Sequence, residues 1–135
     1  MSFDDFISMD EPWLRLVDRW VAPRSLVPDG LVLVEVHGDR VRSKSELLEE
    51  VARAFKFPDY FGHNWDAVAD CLGDLEWLGE ISSILVVVTD VSRMEECCAR
   101  DLGVLLEIFK ESAEIWRDIG VVFVVVIAQE AHLGA

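Results

Sequence analysis

A parallel α/β domain is the fold class this sequence predicts, and three observations predict it. Three short, β-branched apolar runs, Leu31–His37 (LVLVEVH), Ser83–Thr89 (SILVVVT) and Val121–Ile127 (VVFVVVI), read as buried strands. Stretches with helical periodicity separate them, which is how parallel strands are joined. The last run is so uniformly apolar that both its faces are expected to be covered. The expected architecture is a three-stranded parallel sheet with helices packed around it, plus an N-terminal helical extension. Residues 1–30 are assigned to the extension and 31–135 to the domain.

The elements follow in order. Pro12 suits a first helical turn, and Trp13, Leu16, Val17, Trp20 and Val21 recur at helical spacing, so a helix is expected there. Pro23, Pro28 and Gly30 punctuate its exit. After the first strand, Gly38 and Asp39 form a turn. Ser43 and Glu46 have capping-box spacing ahead of LLEEVARAF, whose Leu47, Leu48, Val51, Ala54 and Phe55 form an inward stripe. Pro58 closes that helix. In FPDYFGHNWDAVADCLGDL, Gly62 is expected to permit a sharp turn, Asn64 to cap, and Trp65–Leu72 to form a short helix stopped by Gly73. A short helix is expected over Val91–Arg100, and a longer one over Asp101–Asp118 with Leu102, Leu105, Leu106, Phe109, Ala113 and Trp116 on one face.

Twelve Lys and Arg stand against twenty-six Asp and Glu, a formal net charge of −14. Such a chain repels nucleic acid and anionic membranes at long range and attracts cationic surfaces, which argues against a direct nucleic-acid binder. No apolar run reaches the roughly 18 residues of a membrane span. The acidic start MSFDDFISMDEPW lacks the basic region of an export signal, so the cytoplasm is the expected location. Cys71, Cys97 and Cys98 are odd in number, match no zinc spacing, and are expected to be reduced thiols.

The catalytic inventory is thin, and no catalytic residue or cofactor is assigned. His37 and His132 lack a visible nucleophile, Ser82 and Ser83 lack a nucleophile-elbow pattern, and no glycine-rich phosphate loop is present. Negative charge is what the sequence concentrates. Asp66 and Asp70 lie four apart on one helical face, flanked by Asp59 and Asp74, and Glu107, Glu111, Glu114 and Asp118 form a stripe on the long helix. Phe61 and Trp65 are expected in the core, and Tyr60 as an exposed aromatic anchor. His63, Asp66 and Asp70 (H-x-x-D-x-x-x-D) leave a metal-dependent enzyme open as an alternative.

The stretch FPDYFGHNWDAVADCL resembles the barstar family of intracellular ribonuclease inhibitors. Pro58, Asp59, Tyr60, Phe61 and Gly62 match its loop, and Asn64, Asp66, Ala67, Asp70, Cys71 and Leu72 match the helix that follows. The resemblance runs from about Leu31 to Ile127. It implies an immunity protein that binds a secreted or delivered basic ribonuclease one to one, with no direct nucleic acid or membrane partner. Asp70 then takes the position that enters the nuclease active site, Asp66 and Glu111 flank it, and Tyr60 belongs to the interfacial loop. Asp59, Gly62, His63, Asn64 and Trp77 complete the expected partner-binding set. The chain departs from the family pattern at His63, at Ala69 and at Ile115, which replaces a second helix acid, and Trp77 stands for a displaced aromatic. A non-inhibitory interaction module on the same fold is the remaining alternative, with self-association through Trp13 and Trp20 of the extension.

Overall fold

The structure is a computed structural model that describes residues 12–21 and 29–132. Its elements are β1 (Leu14–Val21), β2 (Leu31–His37), α1 (Lys44–Phe55), α2 (Trp65–Asp74), β3 (Ser83–Thr89), α3 (Val91–Asp118) and β4 (Val122–His132). The strands form one sheet in the order β1-β4-β3-β2, and all three pairings are parallel.

The three expected strands are present, but the sheet has four. The fourth is β1, where a helix was expected, and it runs beside β4. Its apolar residues do fit a helical period, yet the backbone hydrogen bonds go to a strand over a hundred positions away. The Val125 N–H donates to the Trp13 carbonyl at 2.7 Å, and Leu14 stands opposite Val125. Trp13 is buried and Trp20 half-buried, so both pack within the chain. The turn marked by Pro23 and Pro28 lies outside the described residues. β4 extends to His132 because β1 continues to pair with it, Val21 opposite His132.

Register explains the core. Val34, Val86, Val125 and Leu14 line up across the sheet, as do Val36, Val88, Ile127 and Leu16. Pleating sends both rows to one face. All but Leu16 are buried, as α3 packs on β4 and α1 on β2, while Leu16 on the edge strand stays 48% exposed. Phe55, Leu72, Leu105 and Phe109 fill the space beneath the sheet. Burying a side chain of this size contributes about 1.5–3 kcal/mol. The opposite face is less covered than expected. Leu33, Leu85, Val124 and Val126 are only half-buried, and Val122 is 61% exposed. β4 is apolar on both sides because a central strand needs β-branched residues to pack against its neighbours, even where one face is partly open.

Local signals set the helix starts. Ser43 Oγ accepts from the Glu46 N–H at 3.2 Å, and Glu46 reaches back to the N–H of Arg42, one residue before the cap. At the far end of β2 the carboxylate of Glu50 is buried. It accepts from Arg53 and from the His37 backbone N–H at 2.7 Å, and Arg40 lies 3.8 Å away. Gly38 is required where it stands, since a Cβ there would collide with the carbonyls of Thr89 and Asp90. The two helices expected over 91–118 are both present and follow one another within α3 across a kink at Cys98, whose φ/ψ of −149°/42° is non-helical, so their junction lies slightly earlier than the expected one after Arg100. Cys97 and Cys98 are joined by a disulfide, contrary to the reduced state expected, and Cys71 is a free buried thiol.

Candidate functional site

The acidic loop and helix between α1 and β3 are held by aromatic packing. Lys56 ends α1 in the left-handed region, and Phe57 turns back onto Phe55 with ring centroids 5.8 Å apart. Phe61 packs on Phe57 at 4.9 Å, Trp77 meets Phe57 edge-on at 6.0 Å, and His63 lies 4.8 Å from Phe61. The Phe61 N–H donates to the Pro58 carbonyl, tightening the turn that leaves Tyr60 72% exposed. Tyr60 points out and Phe61 in, as the sequence led us to expect.

The turn into α2 is made differently from expectation. His63, not Gly62, adopts the left-handed conformation, with φ of 54°. Histidine is among the few side-chain-bearing residues enriched in that region. A Cβ on Gly62 would meet nothing nearer than Asn64 Nδ2 at 3.4 Å. Asn64 then caps α2 by accepting from the Ala67 N–H at 2.8 Å, while its amide nitrogen donates to the Gly62 carbonyl. The helix runs one residue past Gly73 to Asp74, and Leu75 supplies the left-handed cap, with φ of 51°. Buried Leu75 holds that conformation through its packing.

Two tryptophans fix α2 against α3. Trp65 Nε1 donates to Asp101 Oδ1 at 3.3 Å, and Trp116 Nε1 donates to the Leu72 carbonyl at 2.8 Å. Val68, Cys71 and Leu72 face inward, leaving Asp66, Asp70 and Asp74 exposed. Like charges four apart cost a helix roughly 0.2–0.5 kcal/mol. The first-turn position of Asp66 offsets part of that. Among the described residues neither Asp66 nor Asp70 has a cationic side chain paired to it, whereas Glu50 pairs with both Arg40 and Arg53.

The nine sequence-predicted partner-binding residues therefore divide. Asp59, Tyr60, Gly62, His63, Asn64, Asp66 and Asp70 are exposed along one continuous loop and helix. Glu111 is exposed on α3, in a groove of about 330 Å³ lined by Glu107, Lys110, Glu111 and Glu114. Trp77 is half-buried and donates to the Phe55 carbonyl at 2.9 Å, so it braces the loop from behind. Sequence reasoning missed Asp101 and Trp116 as supports. Their partners lie 36 and 44 residues away, beyond any local pattern. It also missed Lys110 within the acidic groove.

Two titrating groups here are shifted. Desolvation raises the Tyr60 hydroxyl above its ordinary pKa, with Asp74, Cys71 and Glu76 adding to the effect. Burial likewise pushes the Cys71 thiol up, and Asp70 and Asp74 push it further. Among the described residues no group of three or more His, Cys, Asp or Glu side chains is disposed to hold a metal ion, so His63, Asp66 and Asp70 do not converge on one. Nor, among those residues, is any helix long and apolar enough to cross a membrane.

A family described as Barstar (barnase inhibitor) matches residues 31–128. The chain belongs to the barstar family. The match begins at β2 and ends within β4, so it takes in the three-stranded part of the sheet, all three helices and the whole acidic segment, and leaves β1 outside. Barstar-family membership places this chain in a family of inhibitors rather than of enzymes. A search of curated protein sequences returned no significant match.

Proposed function

We propose that this barstar-family chain is a stoichiometric inhibitor, an immunity protein that binds a small basic ribonuclease and closes its active site without turnover. The observation that carries the reading is that Asp70 and Asp66 face outward, with no cationic side chain among the described residues paired to them, on a helix fixed by two indole hydrogen bonds. A carboxylate held rigidly in that way substitutes for a nucleic-acid phosphate. Arginine guanidinium groups that grip phosphate in two places grip carboxylate in the same geometry. Asp70 is the deepest anchor, with Asp66 and Glu111 beside it. Tyr60 lies flat on the enzyme surface, and Asp59, Gly62, His63 and Asn64 shape the loop that meets it. The partner is secreted or delivered, the complex is one to one, and inhibition takes place in the cytoplasm.

The test is inhibition of a panel of small basic microbial ribonucleases, followed by titration calorimetry on the one that is inhibited. Asp70→Ala is expected to weaken binding by about 2 kcal/mol or more, as for a buried interfacial anchor. Glu107→Ala is expected to cost under about 1 kcal/mol, as for a rim charge. Equal losses for the two variants, or no inhibition of any member of the panel, would overturn the reading.

A further inference from the structure

The side of α3 that meets α2 is marked by a row of residues. Asp101, Ile108, Ser112 and Ile115 are spaced by seven, four and three positions, which sets them in line along the helix. The row meets α2 at Asp101, which accepts from the Trp65 indole. Ile108 and Ser112 are buried, whereas Ile115 is 52% exposed and Ile119, one turn further on, is 68% exposed. Both emerge near the end of α2. Trp116, next to Ile115, donates to the Leu72 carbonyl, and α2 stops at Asp74. Exposed Tyr60 stands at the same end of α2, near enough for Asp74 and Cys71 to act on its hydroxyl. Large apolar side chains thus border the last turn of α2 from both the loop and α3. The ground around them is acidic. Asp70 and Asp74 are exposed on α2, and Glu111 and Asp118 are exposed four positions before Ile115 and three after it on α3. Arg117, two positions after Ile115, faces away around the helix and lines a groove with Trp13.

Single exposed apolar residues are ordinary on a protein surface, but neighbouring ones rimmed by charge mark a contact site. We propose that Ile115 and Ile119 dock on an apolar patch beside the cationic pocket of the partner, an inference that rests on the inhibitor reading and specifies the ribonuclease surface it takes. A second copy of the chain is the wrong occupant. A symmetric contact through this patch would bring Asp74, Glu111 and Asp118 against the same carboxylates of the other copy, and juxtaposed like charges oppose association. A cationic partner meets the same rim with attraction. The isoleucines then exclude water beside Asp70 as the pocket closes, and a carboxylate–guanidinium contact is stronger in the less polar surroundings that result. They also select among basic enzymes. A ribonuclease with a polar group at that point would have to strip it of water against an isoleucine that offers no hydrogen bond in return. The acids draw in any basic partner, and Ile115 and Ile119 decide which one is held.

The experiment uses the full chain with the ribonuclease of the panel that it inhibits. Ile115→Ser, Ile119→Ser and Ile115→Glu are compared with the unaltered chain by stopped-flow association and competition-based dissociation. Urea midpoints check that these changes at exposed positions leave the fold intact. Ile115→Ser is expected to speed dissociation by about tenfold or more and to leave association within about twofold, as for an apolar contact made after encounter. Ile119→Ser should shift dissociation in the same direction. Ile115→Glu is expected to dissociate at least as fast as Ile115→Ser, although it adds an acid facing a basic enzyme. Tighter binding by Ile115→Glu would show a cationic surface opposite that position and overturn the proposal. So would dissociation rates unchanged in both serine variants. Sedimentation velocity of the free chain is expected to show a monomer, and a self-association that Ile115→Ser abolishes would assign the patch to a second copy instead. Each of these failures leaves inhibition by the unaltered chain in place. Failure of the inhibitor reading is a different result, no ribonuclease inhibited by the unaltered chain, and it overturns both.

Discussion

Glu50 shows how much one side chain does for the C-terminal end of β2. Burial alone would raise its pKa, but hydrogen bonds from Arg53 and the His37 N–H, and the charges of Arg53 and Arg40, outweigh it and hold the carboxyl below its ordinary 4.5. A carboxyl depressed on folding contributes stability above its unfolded pKa and loses that contribution as pH falls through the folded value. Glu50→Gln is therefore expected to cost about 2 kcal/mol at neutral pH, the scale of a buried charged hydrogen bond lost. The deficit should shrink as pH drops below 4.5, read from urea midpoints of both proteins across the acid range. A deficit constant down to the acid limit would mean the carboxylate form is not what matters. Cys71 gives a second prediction at this scale. Its thiol is buried and pushed up in pKa beside Asp70 and Asp74, so iodoacetamide should alkylate it slowly near neutral pH and rapidly only after unfolding. Fast labelling of the folded chain would show α2 opening from α3.

Among the elements, β1 is where the sequence and the fold part. Trp13, Leu16, Val17, Trp20 and Val21 have the spacing of one helical face, and nothing local distinguishes that from an edge strand buried along a single row. What decides it is the free edge of β4, a partner no local window contains. β2, β3 and β4 were legible because continuous β-branched runs bounded by turn residues carry their own signal. α1 and α2 were legible for a different reason, since Ser43 and Asn64 cap as their spacing requires. The exposed part of the candidate site was legible with them, because the loop, the cap and the aspartates are contiguous. Its supports were not, since Trp65–Asp101 and Trp116–Leu72 join separate helices. Nor could spacing show that Trp77 braces the loop, because only the fold brings it to Phe55. A chain lacking residues 1–21 tests β1 directly. It uncovers the edge of β4 and removes buried Trp13 and Leu14, at a cost of about 3–6 kcal/mol for two large apolar side chains. A lower urea midpoint and concentration-dependent self-association in sedimentation velocity are expected, because an apolar edge strand recruits another chain. An unchanged midpoint would mean β1 contributes little to the sheet.

At the scale of the whole molecule the net charge of −14 pulls in two directions. Like charges repel within the compact chain, so the folded state carries an electrostatic burden that salt relieves. The same field draws in a cationic partner, and salt weakens that attraction. Between about 10 mM and about 1 M sodium chloride the screening length falls from roughly 30 Å to roughly 3 Å. Over that range the urea midpoint of the free protein should rise, while its association rate with an inhibited basic ribonuclease should fall by at least about tenfold. The dissociation rate should change far less, because Asp70 and its neighbours are screened little once a pocket has closed around them. Stopped-flow association and competition-based dissociation rates separate the two. An association rate indifferent to salt would mean that the acidic surface serves solubility alone, and a dissociation rate that rises steeply would place the aspartates at the rim of the interface rather than at its centre.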